Sequence, residues 1–326
     1  MQRAAIIGGG AWGTALSLMT ARAGLPTRLW MRAMHTALHV SHTRVSPYLD
    51  GILLPETIAV TAGLEQALDG AGLVFLVVPS QAVRMVARRC APLLAPDACV
   101  LLCSKGIERE TGLLMSEVAG QELQGRPLAV LSGPSFAAEV AAGKPAAVTV
   151  AISAQPGGGL HASRRLGVRL ETALDRPSFR IHLSGDPIGV EIAGAMKNVI
   201  AIACGIAAGM DLGANLRAAL ITRGLAEMRR LTVAAGGHPE TATGLAGIGD
   251  LVLTCSDPQS RNYSLGHSLG SGQNQGSMLA EGAVNAGAVA AMAQRHGLDL
   301  PVCRFVDGAL RHPAGIREAL ETLLAS

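Results

Sequence analysis

The chain has 326 residues, 49% of them hydrophobic, and a formal net charge of +3, with a mean hydropathy of +0.35. So small a charge, with no basic run interleaved with aromatics, argues against a nucleic-acid partner, and the length allows about two domains. Two Trp, two Tyr and four Phe leave the cores to aliphatic side chains and alanine.

Near the N-terminus, Ala4 to Ile7 reads as a short buried strand, Thr14 to Ala23 as a helix ending at Gly24, and Thr27 to Trp30 as a second strand. Between the first strand and the helix stand Gly8, Gly10 and Gly13 in G-x-G-x-x-G order. Strand, glycine loop, helix and strand within about 30 residues is the setting of a dinucleotide site. Gly8 permits the turn, Gly10 lets a pyrophosphate reach the backbone, Gly13 lets helix pack on strand, and the helix N-terminus faces the phosphates. No Asp or Glu occurs from Met1 to Leu49, where an acid would hold the ribose hydroxyls; Arg28, Arg32 and His35 stand there instead. A cation there suits a 2′-phosphate, which favours NADP over NAD.

Apolar runs at Leu73 to Val78, Ala98 to Cys103, Leu128 to Leu131, Ala146 to Ile152 and Phe179 to His182 alternate with helical patterns at Val83 to Cys90, Glu108 to Gln121 and His161 to Leu170. Such alternation predicts a doubly wound parallel sheet, α/β and Rossmann-like, over residues 1–185. Ligands sit beyond the carboxyl ends of such strands, which puts Lys105 and the Gly133-Pro134-Ser135 turn in the crevice. Lys144, in a Gly-Lys-Pro turn, reads as solvated. From 186 to 326 the pattern is helical throughout: Glu191 to Gly209, Ala214 to Arg230, Met278 to Gln294, Val302 to Arg311 and Ile316 to Leu324, an all-α domain. Residues 155–159 and 268–277 read as surface loops.

Lysine occurs three times, at 105, 144 and 197, among 27 basic residues. Lys197 lies in the alanine-rich run EIAGAMKNVIAIACGIAAG, with Gly194, Ala201 and Gly205 on its face. An ammonium buried there is paired or has a lowered pKa. Asp250, after Gly247-Ile248-Gly249, either caps a helix or pairs with Lys197. Ser260, Arg261 and Asn262 form a hydroxyl, guanidinium and amide cradle for an oxyanion.

Six cysteines show no paired spacing and are read as reduced, buried thiols of a cytoplasmic protein. The early arginine and late A-x-A mimic a signal peptide, but the glycines interrupt its apolar middle. No apolar run is expected to reach the ~18 residues that span a membrane. No metal site is indicated.

GGGAWGTAL, VVPS, CSKGIE, SGPSFAAEV, the long stretch from IGVEIAGAMKNVIAIACGIAAG to LITRGLAEM, GIGDLVLTCSDPQSRN and LAEG follow one another in the order of the bacterial NAD(P)-dependent glycerol-3-phosphate dehydrogenases, which the chain resembles over nearly its whole length. The resemblance implies reduction of dihydroxyacetone phosphate to sn-glycerol 3-phosphate and its reverse, supplying phospholipid synthesis. It implies Lys197 as the proton-transfer residue. Lys105, Gly133, Ser135, Lys197, Asp250, Ser260, Arg261 and Asn262 would line the substrate site. Ala11, Trp12, Arg32, Tyr48, Lys105, Ala137, Arg261, Leu279 and Glu281 would contact the cofactor. Departures are Gly9 and Ala11 where Ala and Ser are common, Ala33 after Arg32, Asp50-Gly51 near Tyr48, and Leu279 for valine. The alternative reading is a 2-hydroxyacid or sugar-acid dehydrogenase of similar architecture. A non-catalytic NADP sensor would not need Lys105 and Lys197 together. The expected partner is a phosphorylated small molecule, and the small-residue helices are compatible with a homodimer.

Overall fold

The apolar runs of the first half close as an eight-stranded sheet in the order β3-β2-β1-β4-β5-β6-β7-β8. The structure, a computed structural model, describes residues 3–153, 159–273 and 280–325. The strands are β1 (Ala4–Ile7), β2 (Thr27–Trp30), β3 (Ile58–Thr61), β4 (Leu73–Leu76), β5 (Cys99–Leu102), β6 (Leu128–Ser132), β7 (Ala146–Ile152) and β8 (Phe179–Ser184). Their connections carry α1 (Ala11–Arg22), α2 (Met34–Thr43), α3 (Leu64–Leu68), α4 (Val83–Cys90), α5 (Met115–Glu122), α6 (Ala137–Ala141) and α7 (Gly159–Leu174). β1 pairs in parallel with both β2 and β4, Ile6 standing opposite Leu29 and Phe75. Side chains on both faces of the central strands are buried: Ile6 and Phe75 on one, Ala5, Ile7 and Val74 on the other, all at 0% exposure. Parallel strands covered on both faces demand such unbroken apolar runs.

The second half is helical: α8 (Pro187–Gly209), α9 (Gly213–Ala234), α10 (Asp250–Ser256), α11 (Arg261–Gly270), α12 (Glu281–Arg295), α13 (Pro301–Arg311) and α14 (Ile316–Ala325). The chain divides into two compact units. One comprises residues 1–104, 115–131 and 135–187; the other comprises 105–114, 132–134 and 188–326. Two short pieces from within 1–185 are thus counted with the helical unit, and each unit has its own aliphatic core.

Four local expectations are corrected. The helix expected from Glu108 begins only at Met115, because Gly112 turns the chain at φ +70 and an antiparallel bridge joins Ile107 to Leu114. Ser260 caps α11, its hydroxyl accepting from Tyr263 N at 3.3 Å, and α11 runs on through residues 268–270 of the expected second loop. The remainder at 274–277, and residues 155–158, lie outside the described residues. β3 and α2 were missed; β3 is a four-residue strand at the sheet's edge, and α2 is mostly exposed, with only Ala37 and Val40 buried. Finally, α8 is long and apolar enough to cross a membrane, with mean hydropathy 1.6, yet 89% of its apolar window is buried inside the protein. It is a core helix.

Small residues let α8 pack this way. A β-carbon added at Gly205 or Gly209 would lie 2.1 Å from Tyr263 O or 2.2 Å from His267 O; one added at Gly266 or Gly270 would lie 2.1 Å from Ile202 O or 2.2 Å from Ile206 O. The two helices therefore meet backbone to backbone, through glycines spaced four apart on each. We expect Gly266→Ala to destabilise the protein by about 3 kcal/mol, the upper end for overpacking against atoms that cannot yield. Gly308→Ala, facing open space on α13, should be neutral or stabilising. Urea denaturation followed by circular dichroism checks the pair; equal midpoints for the two variants would sink the packing account.

Candidate active site

The glycine loop is built as its spacing requires. Gly8 sits at φ +124 with Val77 O only 2.2 Å from where a β-carbon would be, and a β-carbon on Gly13 would strike Gly8 O at 1.7 Å. Gly10 faces open space. It is also the N-cap of α1, with no side chain capping that end and no acid in its first turn. The first amides of α1, from Ala11 and Trp12 onward, thus remain available to an anion, and the Trp12 Nε1 is buried without a partner. At Gly9 an alanine β-carbon would lie 2.4 Å from Met31 Cγ, so the methionine fills the space that this departure leaves.

At the end of β2, Arg28 is tied to Asp69 at 3.3 Å and to Gln66 O, which removes it as a phosphate ligand. Arg32 and His35 are exposed. Tyr48 is 52% exposed, and Ala137 opens α6. An uncapped helix end, an open glycine and a free arginine fit a dinucleotide phosphate. Leu279 lies outside the described residues.

The helical unit holds a buried charge cluster. Lys197, 7% exposed, donates to Asp250 Oδ1 at 2.7 Å and to Thr254 Oγ1 at 2.9 Å. Lys105 donates to the other oxygen of the same carboxylate at 2.7 Å. The Thr254 hydroxyl donates to Asp250 O at 2.6 Å, one turn back on α10, which leaves its oxygen free to accept from Lys197. Asp250 does not cap α10; it pairs with the lysines. Burial alone would raise its carboxyl, and the Lys105 and Lys197 ammonium groups outweigh that and hold it below the usual carboxylate range. Burial lowers Lys197 to about 8, with Lys105 acting in the same direction and Asp250 against it. Two cations around one carboxylate leave a net positive, largely dry site that attracts an anion.

Amides fix the surrounding elements. Asn262, on α11, donates to Asn198 Oδ1 at 2.9 Å and accepts from Gly282 N, at the start of α12, at 2.8 Å. Asn285 of α12 donates to Lys105 O at 3.0 Å and accepts from Ile107 N at 3.4 Å. Arg261 is exposed at the first position of α11. Burial raises the Glu281 carboxyl, while Arg261, Lys105 and Lys197 pull it down.

Two family models match the chain: the N-terminus of NAD-dependent glycerol-3-phosphate dehydrogenase over residues 3–156 and its C-terminus over 186–321. The chain belongs to the NAD-dependent glycerol-3-phosphate dehydrogenase family. The glycerol-3-phosphate dehydrogenase (NAD(P)+) of Rhodospirillum rubrum is 45% identical, the match covering 98% of this chain and 91% of that one. The crystal structure of glycerol-3-phosphate dehydrogenase from Coxiella burnetii superposes with a TM-score of 0.93 at 39% identity, covering 100% and 99% of the two chains. D-mandelate dehydrogenase, in a ternary structure with NADH and anilino(oxo)acetate, shares only the fold: TM-score 0.63 at 14% identity, with 99% of each chain covered.

In this glycerol-3-phosphate dehydrogenase family member, Lys105, Lys197 and Asp250 come together, and Asn262 joins Asn198 and Gly282. Gly133 adopts φ +148, and Pro134 beside it lies against Gly249. Ser260 is spent largely as a helix cap. Sequence reasoning missed Thr254, Asn198 and Asn285. Thr254 could have been found from its spacing of four from Asp250, and Asn285 as an amide in the middle of an alanine-rich run. Asp250→Asn would leave two ammonium groups uncompensated in the interior. We expect a loss of roughly 3–5 kcal/mol, read by urea denaturation at pH 7; a loss under ~1 kcal/mol would show that the lysines do not depend on this carboxylate.

Proposed function

We propose that this chain interconverts dihydroxyacetone phosphate and sn-glycerol 3-phosphate with NADP(H) or NAD(H), in the cytoplasm, supplying glycerol 3-phosphate for phospholipid synthesis. The observation that carries the reading is the carboxylate of Asp250 shared at 2.7 Å by Lys105 and Lys197. Residues 1–185, without the two short pieces that belong to the helical unit, hold the dinucleotide, and the helical unit binds substrate. The loop of Gly8, Gly10, Ala11, Trp12 and Gly13 takes the pyrophosphate, and Arg32, in a stretch with no Asp or Glu from Met1 to Leu49, favours the 2′-phosphate of NADP; Tyr48, Ala137 and Glu281 complete the contacts.

Bound NADPH or NADH supplies the hydride. As the C2 carbonyl of the ketone gains it, Lys197 donates a proton to the developing alkoxide, and in the reverse direction the neutral amine takes that proton from the hydroxyl. Lys105 stabilises the same oxygen and keeps the Lys197 ammonium acidic. Asp250 and Thr254 aim the Lys197 amine. Arg261, with Ser260, the second amide hydrogen of Asn262 and the Gly133–Ser135 turn, grips the phosphate away from the reacting carbon and so orients it.

The test is absorbance at 340 nm with dihydroxyacetone phosphate, with NADPH against NADH as a measure of the part played by Arg32. Lys197→Ala should lower kcat by ~10²–10⁴-fold with little change in KM, and Arg261→Ala should raise KM far more than Lys197→Ala does. Equal KM effects would overturn the role assignment. Because Lys197 loses its proton near 8, ketone reduction should fall about tenfold per pH unit above that value, while glycerol 3-phosphate oxidation should rise up to it and level off. A flat profile in both directions would exclude Lys197 as the proton carrier.

A further inference from the structure

We propose that Asn285 is a positioning residue for proton transfer, holding the backbone of Lys105 so that its ammonium stays on Asp250 opposite Lys197. Asn285 is fully buried, at 0% exposure, on a helix otherwise lined by Gly282, Ala286 and Val289. A carboxamide is costly in such a place unless both its ends are bonded. Here both ends go to the main chain of one short segment, the carbonyl of Lys105 and the amide of Ile107.

The far end of the same segment is held separately. Arg295 donates to Thr111 O at 3.0 Å and Gly112 O at 2.8 Å, and Arg109 reaches back to Val284 O at 3.3 Å. Among these clamps only Asn285 bonds residue 105 itself. The Lys105 stem runs past Gly194, where an added β-carbon would sit 3.4 Å from its Cγ. A shift of about 1 Å is enough to degrade a charge-assisted contact of this kind.

Four groups act electrostatically on Lys197: Asp250 and Cys255 of α10, Lys105 of the clamped segment, and Glu281 of α12, with Arg261 of α11 acting on Glu281. Of these, Lys105 is the like charge that opposes the Lys197 ammonium. Loosening Lys105 removes that repulsion and lets Lys197 bind its proton more tightly. Asn285 thereby tunes the proton donor without touching it. The inference rests on the reading of Lys197 as that donor.

The chain's three lysines make the test direct. With ¹³Cε-labelled lysine, each side chain gives one resonance, and exposed Lys144 serves as the internal reference. We expect Asn285→Ala to raise the Lys197 titration midpoint by about one pH unit, to leave Lys144 unmoved, and to lower kcat about tenfold with a smaller change in KM. In a Lys105→Met background, adding Asn285→Ala should leave the midpoint where Lys105→Met alone puts it. Arg295→Ala, which frees only the far end of the segment, should lower Tm without moving Lys197. An unchanged Lys197 midpoint in folded Asn285→Ala protein overturns the proposal, as does an equal shift from Arg295→Ala. Asn285→Ser, able to keep one of the two bonds, carries the same comparison if the alanine variant does not fold. Full turnover by Lys197→Ala would sink the donor reading instead, and the titration would still decide whether Asn285 holds Lys105.

Discussion

One carboxylate holds two ammonium groups inside the helical unit, and the other features of the site serve that arrangement. Asp250 is 1% exposed and each of its oxygens accepts from a lysine at 2.7 Å. Neither lysine could be buried here without it, and it could not stay ionised without them. The cluster is nevertheless unbalanced by one positive charge. Burial lowers the proton affinity of Lys197, with Lys105 acting in the same direction against Asp250, and the excess charge leaves a place for an anionic substrate.

Holding the cluster at fixed geometry falls to parts of the chain with no charge of their own. Glycines on α8 and α11 bring the two backbones into contact, and Asn262 carries the alignment on to α12 through Gly282 N. Backbone contact tolerates less sliding than side-chain packing does, because no rotamer can absorb the movement. Alanine-rich composition, which on its own looks like low information, is here the means of setting the height of Lys197 against Arg261.

Much of this was legible in the sequence. Unbroken apolar runs of four residues marked the buried strands, and the G-x-G-x-x-G spacing marked the turn that Gly8 makes at φ +124. The scarcity of lysine pointed to Lys105 and Lys197. The elements that escaped are those in which local pattern is weak or overridden. β3 is too short and too exposed to show periodicity. The segment after Lys105 has a helical composition, but Gly112 and the Ile107–Leu114 bridge take it elsewhere. The choice between capping and pairing at Asp250 depended on partners 53 and 145 residues away, and the bonds of Asn285 span 180. Nothing in local spacing encodes contacts of that length.

The interleaving of the two units has a consequence for the chain as it is made. Lys105 leaves the ribosome 145 residues before Asp250, an interval of roughly 7–30 s at common elongation rates. Through that interval the lysine lacks Asp250, while the strands that flank it in sequence, β5 and β6, are both made before that carboxylate. The site therefore closes late, when α10 and then α12 emerge and draw an earlier segment into their own unit. By the same logic, a fragment beginning at residue 188 would lack Lys105, and a fragment ending before residue 188 would lack Lys197 and Asp250. Cutting the gene at the apparent domain boundary would separate the two cations that share Asp250.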